Sequence, residues 1–224
     1  SYFFIDMESA LELSKSALAV PYDSFAYTYL VGCTIFQEIL NGKGDEALID
    51  VNSQLDFHKD RPIALVDSFV RIWHSAIALL NGNLSVGMRD LIKATQYQDE
   101  CKERTMYVFC NHMIANMHLQ MAEGEIQLPG IPTLIRNPGF VIRHALPAKK
   151  QAKHYLEKFR AGVEQYNVRS KHAWLAFLTA RLALLNGNMD EARREFDKCS
   201  DILQAGGRKA LPSRVEKLGK LLHS

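Results

Sequence analysis

The chain has 224 residues, of which 47% are apolar and 23% charged. That is enough for a buried core and ordinary for a soluble protein. A formal net charge of +2 and a pI of about 8.3 are too small to argue for bulk attraction to nucleic acid or anionic lipid.

The N-terminal run Tyr2-Phe3-Phe4-Ile5 is interrupted by Asp6 and Glu8 and has no basic segment before it, so it does not read as a secretory signal. No apolar run approaches the roughly 20 residues of a membrane span. A first residue of serine reads as a piece of a longer chain or a processed product. Cys33, Cys101, Cys110 and Cys199 form no C-x-x-C pair and read as reduced, half-buried thiols of a cytoplasmic protein.

In chain order, apolar residues recurring every three or four positions predict helices near 6–19, 23–41, 45–58, 62–81, 84–97, 100–123, 147–165, 169–186, 189–204 and 212–223. Four helix ends share a pattern: Ile39-Leu40-Asn41-Gly42, Ala78-Leu79-Leu80-Asn81-Gly82, Met121-Ala122-Glu123-Gly124 and Ala183-Leu184-Leu185-Asn186-Gly187. An apolar helix runs to its end, and a glycine with left-handed backbone stops it. A short polar residue then caps the next helix. The four glycines are 40, 42 and 63 residues apart. Helical pairs at such a period predict an all-α solenoid of antiparallel pairs over residues 1–224 as one domain. The long interval holds an insertion.

The last pair carries the most specific pattern. Ala180 lies mid-helix, Gly187 at the turn, then Asp190-Glu191-Ala192, Phe196 and Cys199. This resembles a tetratricopeptide repeat, in which small residues let two helices approach and the aromatic fills the gap toward the next pair. The longer, degenerate units resemble the helical sensor arrays of large bacterial signalling proteins. Maltose-activator-type transcription regulators and ATPase-coupled kinases and cyclases are examples. The resemblance implies an interaction or ligand-sensing module of a cytosolic regulatory protein, with no catalysis of its own. It would bind a protein, a peptide or another domain of its parent on a concave face, with a homodimer open.

Residues 125–146 depart from the array. Three prolines and two glycines forbid a long helix, so the segment is expected to be a non-helical insertion. Its apolar residues, Ile126 to Ile142, need cover. Arg143, His144, Lys149, Lys150, Lys153 and His154 cluster just after it. On a helix, Lys149 and Lys153 share a face, as do Lys150 and His154. Such a face suits an acidic peptide or a phosphate, and equally a solvated surface.

The sequence offers no H-E-x-x-H, no zinc-spaced Cys/His set, no phosphate loop and no nucleophile elbow. No metal, cofactor or catalytic residue is assigned. The candidate binding residues are Tyr27, Arg71, His74, Asn111, Trp174 and Arg181 on first helices, with Arg143, Lys150 and His154 after the insertion. Tyr29 and Asn116 fall in the same class. An all-helical enzyme, and nucleic-acid binding through Arg208, Lys209, Arg214, Lys217 and Lys220, are the rival readings. Direct nucleic-acid binding and membrane association are not expected.

Overall fold

The computed structural model describes residues 31–32, 34–35, 38, 44–58, 71–75, 77–79, 82–100, 104–124, 135, 137–166, 171–206 and 211–223. Among them the only regular structure is helical. The chain divides into two compact units, Ser1–Lys102 and Glu103–Ser224.

In the first unit, helix α1 spans Gly44–His58 and α2 spans Leu84–Glu100. Residues 71–75 and 77–79 are also helical. They end at Gly82, whose φ is +77°. The Gly82 amide donates to the Leu79 carbonyl at 3.1 Å, and the Asn83 amide to Ala78 at 2.8 Å. These are the two bonds of a Schellman cap. The turn brings α2 back against the preceding helix. A Cβ on Gly87 would lie 2.7 Å from the Ser75 carbonyl oxygen, so the two backbones approach too closely for any side chain there. Gly42 lies outside the described residues.

In the second unit, α3 spans Arg104–Glu123 and ends at Gly124, with φ +70°. A one-turn helix α4, Pro138–Phe140, leads directly into a π-helical turn, Val141–Ala145. Helices α5 (Ala148–Gln165), α6 (His172–Leu185), α7 (Met189–Ala205) and α8 (Ser213–Leu222) follow. Residues 138–145 therefore correct the expectation of a non-helical segment over 125–146. Pro138 sits in the first helical turn, where its missing N–H leaves no bond unmade. There proline starts a helix instead of breaking one.

α6 is the centre of this unit. Its residues Leu175 to Ala183 are all buried, and it packs against α7, α5 and α3. A helix apolar all round is a core helix. α3 packs along α5, closest at Gly162, where a Cβ would meet Val108 Cγ2 at 2.8 Å. α8 closes on α7 through Gly219, which faces the Phe196 ring at 2.6 Å from a notional Cβ. Among the described residues, α6 and α7 are joined by Asn186-Gly187-Asn188. Gly187 and Asn188 repeat the Schellman bonds, to Leu184 at 2.9 Å and Ala183 at 3.0 Å. Asn188 then caps α7, accepting from the Glu191 amide and donating to the Glu191 carboxylate.

Gly187 has φ +75°, and a Cβ there would touch nothing within 4 Å. Gly187→Ala therefore isolates the conformational term. It is expected to lower stability by roughly 1 kcal/mol, as for any L-residue held left-handed. Urea unfolding measures this, and an unchanged midpoint would show that the turn relaxes to another conformation.

Candidate functional site

Two regions of the second unit gather polar side chains, one inside and one outside. The inner region begins with Arg181, which is 5% exposed. Its Nε donates to Glu123 Oε1 at 2.8 Å, and Nη2 donates to Glu123 Oε2. Nη1 donates to Asn116 Oδ1 at 2.6 Å. The guanidinium also lies 5.4 Å from the Phe177 ring centroid. Asn116 and Glu123 are seven residues apart on α3 and so share a face. Glu123 is the last residue of α3, where the helix dipole disfavours an anion. The bidentate arginine reverses that penalty and ties the end of α3 to the middle of α6.

His112 lies on the same face of α3. Its ring is 5.1 Å from Phe159 and 5.9 Å from Trp174. Burial, with smaller contributions from Lys171 and Arg181, lowers its pKa to about 3. The ring is therefore neutral at physiological pH, and its Nδ1 has no hydrogen-bond partner.

The opposite face of α3 carries His118. Its Nδ1 donates to the Ile114 carbonyl at 2.9 Å, which leaves Nε2 as a buried acceptor without a partner. The ring stacks on Tyr155 at 5.7 Å and lies 5.6 Å from His144 of the π turn. Burial lowers the His118 pKa to about 4, against the Ile114 bond, and His144 lowers it further. Burial, then Arg143, also lowers His144. Phe140 anchors the π turn beside this pair, 5.5 Å from the His144 ring. His118 Nε2 and His144 Nδ1 are both buried without a hydrogen-bond partner. Among the described residues, no group of three or more His, Cys, Asp or Glu side chains is placed to hold a metal ion. Cys110 and Cys199 are buried, and burial pushes the Cys199 thiol up to about 12, which suppresses the reactive thiolate.

The outer region is the surface of the helical path from the π turn into α5. Phe140, Ala148, Ala152, Tyr155, Leu156 and Phe159 point inward. Ile142, Arg143, Leu146, Lys150 and Lys153 point out. Ile142 is 66% and Leu146 77% exposed. The π turn contributes to this: the Leu146 amide donates five residues back, to the Val141 carbonyl, at 2.9 Å. The wider turn takes one extra residue, and within it His144 packs inward while Ile142 and Arg143 face water. Beside this ridge, Lys149 Nζ donates to the Leu185 carbonyl at 2.9 Å, at the open C-terminal end of α6.

The sequence-derived candidates separate accordingly. Arg143, Lys150 and His154 are exposed and lie on one helical path. Asn111 and Arg181 are buried. Asn111 donates to the Tyr107 carbonyl at 2.8 Å, so both polar side chains are engaged inside the unit. Trp174 is half-buried and packs edge-on to Phe177 at 5.9 Å. Arg71 is exposed and His74 half-buried in the first unit. Tyr27 and Tyr29 lie outside the described residues. Sequence reasoning missed Glu123, His118 and His144 as a polar interior. It also missed Ile142 and Leu146 as exposed apolar residues. No protein-family model matches the sequence, and neither curated proteins nor solved structures show significant similarity to it.

Proposed function

We propose that the chain is a tetratricopeptide-like interaction module of a regulatory protein, working in the cytoplasm and built to hold a protein partner. The observation that carries this reading is the repeated helix–glycine–helix turn. Gly82, Gly124 and Gly187 all take left-handed φ, and each ends a helix at the same point of the sequence pattern. Burial of Ala180, Ala192, Phe196 and Cys199 agrees with the roles those positions have in the resembling repeat. Stacked pairs of this kind offer an extended surface for another chain. A signalling or transcription-control role follows from the resemblance alone.

Photo-crosslinking tests the reading. A benzoylphenylalanine is placed singly at Arg71, His74, Lys150 and His154 of the full chain in its native cells. The expected result is an adduct of one defined mass that unlabelled chain competes away. If no position gives a competable adduct, the reading fails.

A further inference from the structure

The ridge over the π turn and the start of α5 combines two properties that water alone does not explain. Among the described residues, five large apolar side chains are strongly exposed, and three of them, Ile135, Ile142 and Leu146, fall within twelve residues. Ile142 lies in the π turn and Leu146 just after it, four residues on, and Lys150 and Lys153 lie three apart on one side of α5. Arg143, also in the π turn, is exposed beside Ile142. Residues 126–156 contain no Asp or Glu, the longest such run in the chain. Arg143, Lys150 and Lys153 are exposed and in no ion pair with a described residue. The ridge is thus apolar at one end and cationic at the other, and the first acid after it is the exposed Glu157, one turn beyond Lys153.

We propose that this ridge docks an acidic amphipathic helix of a partner protein. The inference rests on the interaction-module reading and names the partner's chemistry. Two apolar side chains one turn apart on the partner would cover Ile142 and Leu146. Glutamates or aspartates one to two turns further along would meet Lys150 and Lys153, which lie roughly 6 and 10 Å beyond Leu146 along the axis. Charge complementarity selects such a segment and sets its direction. A membrane surface fits less well, because an interfacial helix buries a broad apolar face, and here two residues project. A phosphate backbone would pair the cations but leave both apolar residues uncovered.

The probe is a fluorescein-labelled synthetic helical peptide with Leu at positions i and i+4 and Glu at i+8 and i+11. Fluorescence anisotropy follows its binding to the full chain. The expected result is saturable binding that Ile142→Ser/Leu146→Ser and Lys150→Glu/Lys153→Glu each weaken about tenfold. A peptide with Lys in place of Glu should regain affinity for the Lys150→Glu/Lys153→Glu variant. All four side chains are exposed, so the circular dichroism melt should not move. The proposal is overturned if neither variant alters peptide binding, or if the reversed peptide fails to recover it. It is also overturned if the ridge binds phosphatidylserine vesicles or duplex DNA and not the peptide. Should adducts form at Arg71 or His74 while the peptide ignores the ridge, the module reading stands and this inference falls.

Discussion

Glu123→Ala is expected to lower the unfolding free energy by about 3–5 kcal/mol, because it leaves the Arg181 guanidinium buried without its counter-charge. Arg181 makes its bidentate pair and its Asn116 bond with a side chain only 6% exposed, so water cannot replace the lost carboxylate. The loss should fall on the unfolding transition, with little change in peptide affinity at the distant, exposed lysines of α5. A double variant, Glu123→Leu/Arg181→Met, removes both charges and keeps apolar volume. It should recover most of the loss. Urea denaturation of the two variants decides the matter. A Glu123→Ala penalty below about 1 kcal/mol would mean that the pair behaves as a surface ion pair.

The second large effect is acid destabilisation. In the unfolded chain, His112 and His118 titrate near 6.5. In the fold their pKa values drop to about 3 and about 4, chiefly by burial. Above pH 6.5 both states hold these rings neutral, and stability is full. As pH falls below 6.5, the unfolded chain takes up protons that the fold refuses, so stability is lost. At one unit below 6.5 the loss is about 1.4 kcal/mol per histidine, and it continues until each folded pKa is reached. Urea midpoints at pH 7.5 and 5.5 should therefore differ clearly. His112→Leu should reduce the difference by about half, since Nδ1 has no bond to lose. An equal acid shift in His112→Leu and the parent chain would show that His112 is not the source.

The helical elements of the fold were legible because their signals are local. Asn81-Gly82 and Asn186-Gly187 are flanked by three- and four-residue apolar spacing, and the glycine at each has the left-handed φ that a helix stop needs. The exposed start of α5 was legible for the same reason, although the spacing paired Lys149 with Lys153, and Lys149 turns to the Leu185 carbonyl. The interior polar cluster was not. Arg181 meets Glu123 across 58 residues and Asn116 across 65. Nothing in the spacing records that meeting. An arginine on an apolar helix reads as surface-seeking, and only its partner explains its burial. His118 and His144 likewise come together from two elements 26 residues apart. Pro138 misled for a different reason, because proline stops a helix or starts one according to its position.

The π turn at Val141–Ala145 separates two registers in one stretch of backbone. Phe140, Ala148 and Ala152 keep time with the core, while one surplus residue advances the outward set. His144, which lies within the turn, packs against His118 and Phe140. Moving the extra residue by one place would therefore disturb the interior together with the outer face. The set of side chains that faces outward is thus fixed by what the core accepts.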